Sequence, residues 1–259
     1  MKMGRRRFLR VSAISAGAVA IGGGVSYNLI KDSDPLKDFY ESTEKVLAAH
    51  FGQNPASKLI IDIQHEYHAL APEIPHIGGE KNIFTEWLNF GAYYLAVYRA
   101  LQAINQSTAQ VGRIIYETFE VMADHPKLLL RLVGSIKYRK GFVDKLKRAA
   151  AKSLERKYPG DWVCTFIETG GEEFDYGLDI TECGIRKFYR AQGADELTPY
   201  MCLSDEVVSK AFDRGLVRYK TIAEGAAVCD FRYKKGRETF VFPLRDGWPP
   251  KFINEKAAH

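Results

Sequence analysis

Phe174-Asp175-Tyr176-Gly177-Leu178-Asp179-Ile180 alternates apolar residues with polar or small ones without a break. A strand turns successive side chains to opposite faces, so this period of two predicts a β-strand with one face on a core and the other in water. The stretch decides the fold because almost everything before residue 158 carries the helical period instead. Trp87, Phe90, Tyr94, Val97 and Leu101 recur at helical spacing, and Tyr93, Leu95 and Tyr98 fill the other faces. That pattern predicts a central helix surrounded by others. Ser107 and Gln110 form a capping-box pair ahead of Val111, Ile114, Ile115, Thr118 and Met122 on one face. Asp34-Pro35 and Asn54-Pro55 each offer an N-cap residue before a proline at the first helical position. Pro72, Pro75, Gly78-Gly79 and Pro126 punctuate the helices.

Trp162 to Ile167 predicts a partner for the alternating strand, with Gly170-Gly171 as a hairpin turn between them. Leu216 to Ile222 and Ala227 to Tyr233 predict a second strand pair linked through Glu224-Gly225. Two short helices, Gly184–Ala191 and Ser204–Phe212, are expected between the pairs. The class is therefore α+β: a helical N-terminal layer packed on a C-terminal antiparallel sheet with inserted short helices. The organisation follows as residues 1–31, a signal or anchor; 32–158, helical; 159–246, the α+β part; and 247–259, a tail.

The formal charge of +5 invites a nucleic-acid partner, but its location argues against one. Lys2, Arg5, Arg6, Arg7 and Arg10 all fall within the first ten residues, and without them the chain is near neutral. Arg5-Arg6-Arg7-Phe8-Leu9-Arg10 matches the twin-arginine export pattern, and Val11 to Ile30 follows with no charge. The expected partner is the twin-arginine translocation machinery, which leaves the body periplasmic. Ala18-Val19-Ala20 is a weak cleavage site inside the apolar run, and about twenty residues at the helical rise just span a bilayer. An uncleaved tether to the inner membrane is therefore an open alternative, with the basic end cytoplasmic. Between Lys127 and Lys157 lie eleven Lys or Arg residues against only Asp144 and Glu155. Such a run is either a solvated helix face or a contact with an anionic membrane surface.

Chemistry is expected in the α+β part, which holds all four cysteines. Cys164 shares a strand face with Trp162 and Phe166 and reads as a small core residue. Cys183 stands where a strand ends and a helix begins, a place that favours a thiolate. Cys202 follows Tyr200 and precedes Asp205 by three residues. Cys229 falls with Phe231 and Tyr233 on one strand face, and Asp230 with Arg232 on the other. Their spacing fits no paired Cys-x-x-Cys zinc signature. A buried structural role, a disulfide, and a metal or cluster held by Cys183, Cys202 and Cys229 all remain open readings. His65 and His68 share a helix face, but Glu66 between them does not complete the His-Glu-x-x-His pattern.

The blocks Phe174 to Ile185, Gly193 to Asp205 and Cys229 to Gly236 resemble the L-2-amino-thiazoline-4-carboxylic acid hydrolase family. Pro75-His-Ile-Gly-Gly-Glu80 and the aromatic helix ending Tyr98-Arg99-Ala100-Leu101 are similar to it too, and the likeness covers most of residues 55–236. The resemblance implies hydrolytic opening of a small cyclic amidine substrate to give N-carbamoyl-L-cysteine. Such a reaction needs a base, an acid and a cation for the substrate carboxylate. The residues available are Asp205 or Glu182 as base, Cys183 as nucleophile or acid, and Arg232 as carboxylate partner, with Tyr200, Cys202, Cys229 and Asp230 around the substrate. A cysteine-ligated metal or redox module and a non-catalytic small-ligand sensor are the alternatives.

Overall fold

The computed structural model describes residues 36–124 and 134–244. Asp34-Pro35, the export pattern and the tail therefore lie outside the described residues. The helical part begins with α1 (Lys37–Phe51) and α2 (Gln53–Leu70), separated by Gly52 at φ 86°. That left-handed glycine ends α1 and lets α2 begin at once. Asn54 is consequently not the N-cap, and Pro55 sits within the first turn, where a missing N–H costs nothing.

Helix α3 (Thr85–Gln102) is the central helix that its all-round apolar pattern predicts. Tyr93, Tyr94, Leu95, Ala96, Val97 and Tyr98 are all buried. Phe39 from α1 packs on the Phe90, Tyr93 and Tyr94 rings with centroids 4.7, 5.6 and 6.1 Å away. Tyr93 stays satisfied in this apolar setting because its hydroxyl lies 2.7 Å from Thr43 Oγ1. The capping box forms as expected at the start of α4 (Thr108–Met122). The Gln110 amide donates to Ser107 Oγ at 3.3 Å, and the Ser107 amide donates to Gln110 Oε1 at 2.8 Å.

After α5 (Lys140–Ser153) the chain enters the sheet, which contains β1 (Val163–Ile167), β2 (Tyr176–Glu182), β3 (Leu216–Arg218), β4 (Cys229–Tyr233) and β5 (Phe240–Val241). Helices α6 (Gly184–Ala191) and α7 (Thr198–Ala211) are inserted between β2 and β3. The sheet order is β1-β2-β4-β3-β5. The first four strands pair antiparallel as expected, and β5 adds a parallel edge beside β3 that the sequence did not suggest. The α+β class holds.

Three local expectations are corrected. Residues 168–175 connect β1 to β2 as a longer loop in place of a two-residue turn, closed by the Gly170 amide donating to the Phe174 carbonyl at 3.0 Å. Strand β3 stops at Arg218 because Asp230 Oδ1 takes the Tyr219 and Lys220 amides at 3.0 and 2.7 Å, removing them from the ladder. Helix α7 starts at Thr198, six residues before the expected Ser204, because Pro199 suits its first turn.

Register fixes which side chains meet. Tyr176, Leu178 and Ile180 of β2 stand opposite Tyr233, Phe231 and Cys229 of β4. Leu216 of β3 faces Tyr233, so Arg218, two residues on, points to the same side. This side joins the helices in one continuous core.

Candidate active site

Three segments deliver polar groups to the covered side of the sheet. Helix α7 carries Cys202 and Asp205 one turn apart, β3 and β4 carry Arg218 and Cys229, and Cys183 is the N-cap of α6. Arg218 is the centre of the arrangement, at 2% exposure. Its guanidinium pairs with Asp205, donates to the Cys202 carbonyl at 2.9 Å, and lies 5.3 Å from the Phe231 ring centroid. A buried arginine requires such partners, since an unpaired charge there costs several kcal/mol, about 3–5 when one partner of a buried pair is lost. Cys183, Cys202 and Cys229 lie within electrostatic range of one another. Cys229 Sγ also accepts the Ile222 amide at 3.2 Å. All four cysteines are free, and Cys164 is fully buried beside Ser153, as its strand position predicts.

Burial dominates the electrostatics. It pushes the Cys183, Cys202 and Cys229 thiols up to about 12 from an ordinary 9.0. At Cys183 the neighbouring Cys202 reinforces that rise, while the Arg186 and Ile185 amides at the start of α6 oppose it. Neither amide reaches a capping hydrogen bond with the sulfur. The resting thiols are thus neutral, contrary to the expectation that a helix N-terminus alone would give a thiolate. Asp205 is raised by burial too, with Arg218 and then Arg214 holding it down in part.

The sign of these shifts sets an expected pH response. A group raised in the folded state adds stability below its unfolded value and loses it as pH climbs through the folded one. Stability should therefore fall between pH 9 and about 12, where these thiols ionise in the unfolded chain but stay protonated in the folded one. In native protein near neutral pH, iodoacetamide should modify the three cysteines at least about 10²-fold more slowly than in urea, because the thiolate is the reacting form. Peptide mass spectrometry over time measures this, and equal rates in the two conditions would contradict the burial account.

The remaining expected site residues fall elsewhere. Glu182 pairs with Arg156 and, at 2.5 Å, with Lys187. Asp230 holds the chain leaving β3. Arg232 lies on the opposite face of β4 from Cys229, crosses Gly177 and reaches Asp179 at 2.8 Å. A Cβ at Gly177 would stand 2.9 Å from Arg232 Cδ, so the glycine makes room for that crossing. Tyr200 covers Gly112 of α4 in the helix–helix contact, on the far side of α7 from Asp205. The structure thus brings together Cys183, Cys202, Cys229 and Asp205, but not Glu182, Asp230, Arg232 or Tyr200. Among the described residues no group of three His, Cys, Asp or Glu side chains is arranged to hold a metal ion. His65 and His68 are exposed.

Two cations were missed at the sequence level. Arg218 reads as an ordinary basic residue unless the Leu216 alternation is followed one step further. Lys187 follows Cys183 by one helical turn, interacts with it electrostatically, and donates to the Asp161 carbonyl at 2.8 Å.

The family model of L-2-amino-thiazoline-4-carboxylic acid hydrolase matches residues 87–233, from the first turn of α3 to the last residue of β4. No curated protein and no solved structure matches the chain.

Proposed function

Because the chain belongs to the L-2-amino-thiazoline-4-carboxylic acid hydrolase family, we propose that it hydrolyses a small cyclic amidine of that kind, opening L-2-amino-thiazoline-4-carboxylate to N-carbamoyl-L-cysteine. The observation that supports this most is the convergence of three neutral thiols with a buried carboxylate–guanidinium pair. The reacting atom is the ring carbon between sulfur and nitrogen. Asp205 takes the Cys183 proton as that sulfur adds to the ring carbon. The ring carbon–sulfur bond then breaks, and the departing sulfur receives the proton. Water adds to the same carbon, Asp205 accepts one of its protons, and the bond to Cys183 breaks with that proton returned to Cys183. A ring that enters as the amidinium already carries its nitrogen proton, so the other water proton is released to solvent as the urea carbonyl forms, and one water is consumed.

A cyclic amidine is basic and enters as a cation. Positive charge beside a neutral thiol lowers its pKa, so substrate itself would promote the thiolate that burial suppresses at rest. Arg218 is already committed to Asp205 and the Cys202 carbonyl. Lys187, partly exposed and in electrostatic range of Cys183, is the cation we assign to the substrate carboxylate, which would displace its present partner Glu182; the sequence had suggested Arg232 for that role. Incubation of purified protein with L-2-amino-thiazoline-4-carboxylate should release one free thiol per ring opened, with a product mass one water heavier. No thiol release from this ring or from related cyclic amidines and lactams would contradict the proposal.

We also propose that residues 5–30 direct export by the twin-arginine route. Arg5 and Arg6 stand directly before Arg7-Phe8-Leu9 and the uncharged run. Replacing both with Lys should retain the protein in the cytoplasm, as read by fractionation. Unchanged export would overturn this part of the reading.

A further inference from the structure

The outer face of α5 is a charged surface that the reaction does not use. Leu146, Ala150 and Ser153 bury one side of this helix against β1, an edge strand of the sheet. The opposite side carries Lys140, Lys145, Arg148 and Lys152, all exposed, and none has an ion-pair partner among the described residues. Lys147 and Arg156 flank them but are tied to Glu168 and Glu182. Against the four free cations stand only Asp144 and Glu155. Exposed Gly141 and Ala151 lie between the cations and keep the face low, and Leu154, 53% exposed, follows the helix end.

We propose that this face of α5 docks on an anionic phospholipid surface. Four cations spread over about 18 Å of helix can each reach a headgroup while their aliphatic stems lie along the interface. An apolar residue at the margin of a basic helix face suits the boundary between headgroups and acyl chains. Nucleic acid fits less well, because the rest of the body is near neutral overall. The proposal is independent of which ring the enzyme opens. A tethered body would meet such a surface at high effective concentration.

The test is co-sedimentation of the full chain with phosphatidylcholine vesicles, with and without phosphatidylglycerol. The comparison is between the wild type and the variant Lys140→Gln, Lys145→Gln, Arg148→Gln, Lys152→Gln. The basic N-terminus is common to both proteins and cancels in the comparison. Each cation near an anionic surface contributes about fivefold in affinity, so at low salt the variant should bind anionic vesicles at least about 10²-fold more weakly. Binding to neutral vesicles and the thermal midpoint should be unchanged, and added salt should remove the difference. If the fourfold variant melts early, Lys145→Gln with Arg148→Gln should still weaken anionic binding by more than about tenfold. Equal binding of variant and wild type to anionic vesicles would overturn the proposal. So would a loss confined to a DNA duplex, which would assign the face to nucleic acid instead.

Discussion

Cys183→Ala is expected to abolish ring opening while leaving the thermal midpoint close to that of the wild type. The sulfur makes no capping hydrogen bond with α6 and packs only at the margin of the core, so the loss of packing should be small beside the loss of activity. The chemistry should respond quite differently, because removing a nucleophile eliminates the covalent route entirely. Asp205→Asn tests the partner role. Asn keeps an oxygen that can accept from Arg218 but cannot take a proton, and loss of a general base costs about 10²–10⁴-fold. In the wild type, kcat/KM should fall as pH drops through the raised Asp205 value, because only the carboxylate can accept the proton. Rate per folded molecule is the quantity to compare. Full activity in Cys183→Ala would reduce that residue to packing.

Arg218→Ala is expected to have the largest effect on stability, about 3–5 kcal/mol by chemical denaturation. The substitution leaves Asp205, 26% exposed, without its cation and removes the Arg218 donor from the Cys202 carbonyl. Both groups then carry a desolvation cost that the wild type offsets. Adding Asp205→Asn to Arg218→Ala should recover part of the loss, since the stranded charge is gone, and a double-mutant cycle would read that coupling directly. A loss of less than about 1 kcal/mol in Arg218→Ala, the size for exposed pairs, would mean that the pair is solvated and not the centre of the site.

Much of the architecture was legible because long periodic segments constrain themselves. The α3 pattern left no polar face, so the helix had to be surrounded, and the alternation from Tyr176 to Ile180 marked a strand, although Phe174 and Asp175 fall in the loop before it. Boundaries were less legible, because they depend on single interactions. Gly52 displaced the Asn54 cap, and the Asp230 carboxylate shortened β3. Strand β5 carries only two residues, too few for a period to register. In the site, the three cysteines were found because a thiol is rare and their junctions were recognisable. Arg218 escaped because its role depends on β3–β4 register and on α7 lying above it, neither of which is written in local spacing. Arg232 misled for the same reason: alternation separated it from Cys229, but only the fold shows Asp179 waiting on that other face.

The most direct test of the central claim is substrate protection of the cysteines in wild-type protein. Native chain is alkylated at alkaline pH, high enough to expose thiolate but below unfolding, with and without saturating L-2-amino-thiazoline-4-carboxylate, and each cysteine peptide is quantified by mass. Substrate should slow modification of Cys183, Cys202 and Cys229 together and leave Cys164, buried beside Ser153, unchanged. Rates that the substrate leaves unchanged at all four cysteines, with a ring that the protein demonstrably opens, would place the chemistry elsewhere and contradict the account.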